Sequence, residues 1–420
     1  MRLPGRHLPA QRSCRGDRRR AGGLHPRRPA RRRGALCVAL LARRPGPLGG
    51  DAAGCGRPRR AVPAHRLRPR GARVARPLRP GDGEVRRLLV VKLSSLGDVV
   101  HAIPSAAALA ARYPAAEVDW VVEPLAAPLV RALPFVSRTV VFDGGTAFRE
   151  GGGAFLEAVA GLRESLAGRR YELAVDLQGL LRSSLVTVLS GAALRIGRGR
   201  WPWLHRSVAM YDHRRAPHAV ENTARPLASL GIDPLGVYGA GLAAVEPLAR
   251  DLRARGEALA ASLSLPRPFV ALLPGASRPS KRLSFAAAAL PAPAVVLGGP
   301  DARGLGPPGA VDLAGELPLL DAVALALVSD RALGADTGPS HTAALLGASI
   351  TGVHGPTRVG RTGLRGPRAR SVGAPCGGCE RRRCPRAGAC LAEALREAVR
   401  SGGPGPSWPR EAGTTTARAR

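Results

Sequence analysis

From Arg87 onward the chain alternates short apolar runs with longer stretches in which Ala and Leu recur at helical spacing. LLVVKL (88–93) reads as a buried strand, followed by the loop SSLGD (94–98) and a helix over 99–113. VDWVV (118–122), TVVF (139–142) and YELAVDLQG (171–179) read as further strands, with a helix at 156–168 between the last two. A helix at 180–191 and a short strand, LRIG (194–197), complete this half. The pattern breaks over roughly 198–265, which holds the Trp201–Trp203 loop and a helix ending near Arg255. It restarts with FVALLPG (269–275), AVVLGG (294–299), ALGAD (332–336) and SITGVHG (349–355), and with helices at 317–329 and 340–347. The stretch FAAAALPAPAVVLGG is short, so a clipped helix is expected between its flanking strands. Alternation of this kind predicts an α/β protein: two Rossmann-like parallel-sheet domains in series, facing an interdomain cleft. The expected divisions are 85–260 and 261–400, with unpatterned segments at 1–84 and 401–420.

Charge changes this picture less than its size suggests. The 420 residues carry a formal net charge of +34, which by itself points to nucleic acid. Residues 1–84 hold 23 Arg against Asp17, Asp51, Asp82 and Glu84, and so supply +19 of it. That segment is dense in Pro and Gly and lacks an apolar period, so disorder is expected. Its one apolar run, Ala35 to Ala42, is too short to span a bilayer and starts too late for an ordinary signal peptide. An RNA- or membrane-binding tail, a targeting segment and an upstream stretch included by a mis-set start all fit. The abrupt onset of pattern at Val85 favours the last. Aromatics are only 3% of the chain, so the stacking platforms of RNA readers are missing and no nucleic-acid partner is expected. Only two of the 64 basic residues are Lys, Lys92 and Lys281, and both fall inside motifs. A compact, mobile ammonium rather than a planar fork is the expected need at those places.

Three motifs end strands, where ligands of open α/β sheets bind. In VKLSSLGDVVHAIP (91–104), Ser94, Ser95 and Gly97 offer hydroxyls and amides at a helix start. Asp98 is there either a helix cap or a general base facing the cleft. Neither a dinucleotide fingerprint nor a P-loop follows this strand. In LLPGASRPSKRLS (272–284), Lys281 follows a Gly-Ala-Ser loop, beside Arg278 and Arg282. This is either a solvated basic loop or a diphosphate site. In ADTGPSHTAALLGASITGVHGPT (335–357), Asp336, Thr337 and Gly338 turn the chain into a helix with His341 in its first turn, another phosphate-friendly start.

These motifs, taken with DLQGLLRS (176–183), HAVEN (218–222), LGGPD (297–301), HGPT and RTG (361–363), resemble those of the ADP-heptose:lipopolysaccharide heptosyltransferases, glycosyltransferase family 9. The likeness runs in order from residue 86 to about 400, and its first motif is most similar to the enzymes that add the first heptose (heptosyltransferase I). It implies a GT-B fold and inverting transfer of heptose from ADP-heptose to a Kdo-lipid A type acceptor in lipopolysaccharide inner-core synthesis. It makes Asp98 the catalytic base. Ala276, Ser277, Lys281, Asp301, Asp336, Thr337, Gly338 and His341 would bind the donor, while Lys92, Ser94, Ser95 and Arg182 would lie toward the anionic lipid-linked acceptor. No cofactor is required on this reading. A cytoplasmic location peripheral to the inner membrane is implied, with the inner-leaflet surface as a partner. Ala276 stands where a hydroxyl residue is common in the family, and Asp301 where a Glu often reaches the ribose.

Cys376, Cys379, Cys384 and Cys390 form C-x2-C-x4-C-x5-C, the only cysteines after Cys55. Zinc binding, reduced structural thiols and redox chemistry all remain open for them. Rival readings are another family 9 transferase acting on a later core heptose or different glycan, a nucleotide-sugar epimerase, and a basic membrane- or nucleic-acid-binding protein with a vestigial transferase body. The epimerase would need a pair of acid/base groups at one carbon, and no pair stands out.

Overall fold

The computed structural model describes residues 85–401 except 200–202, 205, 209–217 and 387. The expectations for 1–84, for Trp201 and for the tail beyond Ser401 lie outside the described residues. The first sheet comprises β1 (Arg87–Val91), β2 (Glu117–Val122), β3 (Arg138–Val141), β4 (Leu173–Asp176), β5 (Leu194–Arg198) and β6 (Arg206–Val208). Every pairing in it is parallel, in the order β3-β2-β1-β4-β5-β6. The second sheet comprises β7 (Val270–Leu273), β8 (Ala294–Val296), β9 (Val311–Asp312), β10 (Arg331–Ala335), β11 (Ile350–His354) and β12 (Ala369–Gly373). It too is all parallel, in the order β12-β11-β10-β7-β8-β9. Counted from its own first strand, each sheet therefore has the 3-2-1-4-5-6 order of a doubly wound domain. The central strands are apolar throughout because helices cover both faces: Leu88 to Val91 of β1 are fully buried.

The crossover helices of the first half are α1 (Leu96–Arg112), α2 (Ala127–Arg131), α3 (Gly144–Glu150), α4 (Gly152–Leu166) and α5 (Leu181–Leu189). After α6 (Ala219–Ala224) comes the long α7 (Val237–Ser262). The second half carries α8 (Leu319–Val328), α9 (Gly338–Leu345), α10 (Val359–Thr362) and α11 (Ala389–Arg400). Helix α7 packs on both α1 and α8, and α1 also meets α9. Val99 and Ile103 of α1 thus share one buried cluster with Ala324 of α8 and Ala343 of α9. Among the described residues no helix is long and apolar enough to cross a membrane.

The fold class is as expected, with local differences. Helix α7 does not stop near Arg255 but continues to Ser262, because its buried stripe of Leu252, Gly256 and Ala260 runs on and Arg255 pairs with Asp321 of α8 at 2.5 Å. No α-helix, clipped or otherwise, lies between β7 and β8. Turns and the single 3-10 turn Pro279–Lys281 connect them, since Pro291 and Pro293 break the only Ala-rich stretch.

Candidate functional site

The doubly wound order places a switch point between the first and fourth strands of each sheet, at β1/β4 and at β7/β10. The three strand-end motifs sit in the loops after β1, β7 and β10, DLQG follows β4, and Asp301 follows β8 beside them. At the first switch point the β4 loop pins the β1 loop. Gln178 Oε1 accepts the amides of Leu93 at 2.7 Å and Ser94 at 3.2 Å. Asp176 accepts the amides of Gln178 and Gly179 and the hydroxyls of Ser183 and Ser184, at 2.9 to 3.1 Å. Burial pushes the Asp176 carboxyl up, against those four hydrogen bonds. With its oxygens so occupied, it serves as a brace.

Asp98 is the third residue of α1, and Ser95 is the N-cap. Ser95 donates to Asp98 Oδ2 from its hydroxyl at 2.9 Å and from its amide at 3.3 Å, a capping box. Asp98 itself is exposed, and no hydrogen bond reaches its Oδ1 among the described residues. The two readings of this residue are therefore compatible, one on each oxygen. Lys92 is buried just upstream. Desolvation lowers its pKa, the Asp98 and Asp176 charges oppose the shift, and Arg198 adds to it. Ser94 is half-buried beside it and Ser95 is exposed. Arg182 stands further off: it pairs with Glu123 at 2.9 Å, with its guanidinium against Gly145.

The second switch point is organised on Asp336. Lys281 Nζ donates to Asp336 Oδ2 at 2.7 Å and to its main-chain oxygen at 3.1 Å. Thr357 Oγ1 also donates to Oδ2, and His341 Nε2 lies 2.9 Å from Oδ1. Burial alone would raise this carboxyl. The His341 hydrogen bond, the His354 and His341 rings and the Lys281 ammonium outweigh it and hold the group well below the usual range. Thr337 is the N-cap of α9, so Gly338 opens a helix whose first amides face outward. Ala276 is buried and its oxygen accepts from Arg282 Nε at 2.8 Å, while Ser277 is exposed. The Asp301 carboxylate lies over the same loop: a methyl on Gly275 would come within 2.9 Å of its Oδ2. Every expected donor residue thus lies at the β7, β8 or β10 strand ends.

The starts of α1 and α9 meet directly. A Cβ on Gly338 would fall 2.7 Å from Leu96 Cβ, so glycine alone permits this seating. His101 of α1 packs edge-on to His341 at 4.6 Å and to His218 at 5.5 Å between ring centroids. His218 Nε2 reaches the Gly363 oxygen at 2.8 Å, and Glu221 pairs with Arg365. Desolvation holds His101 well below its ordinary pKa, with the His341 and His218 rings adding to the shift. Burial, with Arg365, lowers His218 to about 3, and burial lowers His354 to about 4. Sequence reasoning assigned no role to His101, His218, His354 or Thr357. The available signal was their place in HAIP, HAVEN and HGPT, the motifs that carried the resemblance.

The cysteines do not assemble as zinc spacing allows: among the described residues no group of three or more ligating side chains is arranged to hold a metal. Cys390 points into the apolar core with Leu391 and Leu395, whereas Cys376 and Cys379 are exposed. Burial and the neighbouring Cys379 and Cys390 push the Cys376 thiol up.

A family model described as glycosyltransferase family 9 (heptosyltransferase) matches residues 159–286 and 302–389. Lipopolysaccharide heptosyltransferase 1 of Pseudomonas aeruginosa is 30% identical over 334 residues, covering 71% of this chain and 87% of that protein. Among solved structures, a family 9 glycosyl transferase from Veillonella parvula superposes with a TM-score of 0.60 at 17% identity, covering 75% of this chain and 96% of its own. The E. coli heptosyltransferase WaaC with ADP superposes with a TM-score of 0.53 at 22% identity, covering 74% and 99%. At such identities the structures establish the fold, GT-B.

Proposed function

Because the chain belongs to glycosyltransferase family 9, the heptosyltransferases, we propose that this glycosyltransferase moves heptose from ADP-heptose to the Kdo of a lipid A type acceptor, with inversion. The observation that carries the reading is the meeting of two helix starts. One bears Asp98 with a free carboxylate oxygen, and the other offers outward amides beside the Lys281–Asp336–His341 cluster.

In this mechanism the donor diphosphate lies between the Lys281 ammonium and the first amides of α9, so positive charge faces the leaving group. Asp336 orients Lys281 and His341, since hydrogen bonds from three side chains already occupy its oxygens. Asp301, Ala276 and Ser277 line the nucleoside side. Asp98 Oδ1 takes the proton of the acceptor hydroxyl as that oxygen bonds to the anomeric carbon. The carbon–oxygen bond to the diphosphate breaks on the opposite face, and ADP leaves with the electron pair. Lys92, Ser94 and Ser95 meet the anionic acceptor, and Arg182 joins them by exchanging Glu123 for substrate. The desolvated ammonium of Lys92 makes an anion there worth more than it would be in water. The reading requires no cofactor and places the enzyme on the cytoplasmic side, peripheral to the inner membrane.

The test is transfer from radiolabelled ADP-heptose to Kdo-lipid A, with an already heptosylated acceptor run beside it. Label in the first alone supports the assignment. Label in the second alone moves the enzyme to a later step, and label in neither, despite ADP binding, overturns the acceptor class.

A further inference from the structure

The apolar pattern ends the fifth strand at Gly197, but in the structure β5 runs on to Arg198. The sheet gives that residue a particular place. Val91 of β1 pairs with Asp176 of β4, and Asp176 with Gly197 of β5. The next row across the same three strand ends is therefore Lys92, Leu177 and Arg198. Strand alternation sends all three to one face. Val90, Val175 and Ile196, two positions earlier, share a buried cluster with Leu177 and with Val99 of α1, whereas Val91 packs in the opposite cluster with Val186 of α5. Helix α1, whose first turn carries Asp98, covers the face of the row. With neighbouring strands about 5 Å apart, the Lys92 and Arg198 backbones stand about 10 Å from each other.

Neither of these cations is paired. Among the described residues Lys92, only 4% exposed, makes no side-chain hydrogen bond or ion pair, and neither does the half-buried Arg198. Asp98 and Asp176 are near enough for their charges to act on both. Both carboxylates are already engaged: Asp176 accepts four hydrogen bonds from its own loop and α5, and Asp98 Oδ2 is held by Ser95. Desolvation lowers the pKa of Lys92 and of Arg198, and the two aspartates oppose the shift in each. Two partly desolvated positive charges in one row, without a counter-ion, work against folding. An apolar pair would pack there more favourably, so the arrangement points to a ligand that carries the missing negative charge.

We propose that Arg198 forms an anion clamp with Lys92, binding a carboxylate or phosphate of the acceptor beside the hydroxyl that Asp98 deprotonates. The clamp rests on the reading of Asp98 as the base, and it adds Arg198, which that reading left without a part. The planar guanidinium takes two oxygens of one anion, while the ammonium supplies a point charge from the other end of the row. Together they make the anion a requirement. An acceptor without it leaves both cations unpaired in a partly dry site and is rejected.

The test compares Arg198→Gln and Arg198→Lys with the parent, each as the full chain, on deacylated, water-soluble Kdo-lipid A. In Arg198→Gln the acceptor KM should rise about 10–100-fold, with the ADP-heptose KM and the calorimetric Tm unchanged. Arg198→Lys, which keeps a charge but not the fork, should recover part of the loss. An acceptor with its carboxylate converted to the amide and one stripped of phosphate are run beside it. The one lacking the anion that the clamp reads should be equally poor for the parent and for Arg198→Gln, and it thereby names the anion. If every acceptor weakens alike and Tm falls, Arg198 is structural and the clamp is wrong; an unchanged acceptor KM in Arg198→Gln overturns it as well. No transfer by the parent sinks the acceptor reading instead, and the clamp is then decided by ligand-observed NMR. There the donor site is filled with ADP, and free Kdo or inorganic phosphate is titrated. The parent should bind one of the two, and Arg198→Gln should bind it at least about tenfold more weakly. Binding of neither anion, or equal binding by both proteins, rejects the clamp.

Discussion

Asp98 commits one carboxylate oxygen to its own helix and keeps the other open. Asp98→Asn retains an acceptor for the Ser95 hydroxyl and so keeps the helix start, but removes the proposed base. We expect kcat to fall by about 10²–10⁴-fold while calorimetry finds ADP-heptose binding intact; near-normal turnover would take Asp98 out of the reaction. Lys281 is argued to act on the other reactant. Lys281→Ala removes a charged hydrogen-bond donor from the diphosphate side, and ADP binding measured by calorimetry should weaken by about 10–100-fold. Lys281→Arg should restore little of this, because a planar fork cannot occupy the point between the Asp336 carboxylate and its own main-chain oxygen. Unchanged ADP affinity in the alanine variant would reduce Lys281 to a structural partner of Asp336.

Between elements, the decisive contact is the start of α9 against the start of α1. Gly338→Ala drives a methyl into the buried side chain of Leu96. Such overpacking costs about 1–3 kcal/mol, readable as a lower urea midpoint, and Leu96→Ala in the same chain should recover part of it. Additive losses in the double variant would show that the two residues do not meet. Much of this level was legible beforehand. Strands that bear a motif or lie centrally were visible as apolar runs, because burial on both faces leaves no polar alternation to confuse. The edges were not. β9 is two residues long, β12 (ARSVG) is mostly half-buried, and β6 is three residues beyond a broken pattern, so none carries the apolar density that marks a strand. Helix α11 did carry a signal, since Cys390, Leu391, Ala394, Leu395 and Ala398 line one face. Its first turn sits inside the cysteine spacing, which competed for the same residues. For the site, motif position located the donor cluster, but nothing in one dimension places His101 against His341. That contact exists only because two domains meet, and pairing across 240 residues leaves no local period.

At the scale of the whole molecule, those histidines tie the two sheets together and make the assembly acid-sensitive. His101, His218 and His354 are buried at or near the seam, and in each the largest cause of the lowered pKa is desolvation. An unfolded histidine titrates near 6.5, whereas His218 and His354 in the fold are held to about 3 and about 4. Between those values the unfolded chain binds more protons than the native one, so stability rises with pH. The contribution is fully present above about pH 6.5 and is lost as pH falls toward 4. From pH 7 to pH 5 the loss is on the order of 2 kcal/mol for each of His218 and His354. The lowered carboxyl of Asp336 acts in the same direction only below the ordinary carboxylate range. Calorimetric Tm should therefore drop between pH 7 and pH 5, before the carboxylates titrate. In His101→Phe, which keeps an aromatic ring against His341 but cannot take a proton, that drop should be smaller. An equally steep drop in the phenylalanine variant would mean that His101 is not held neutral by the seam, and that the two domains part there more readily than their packing implies.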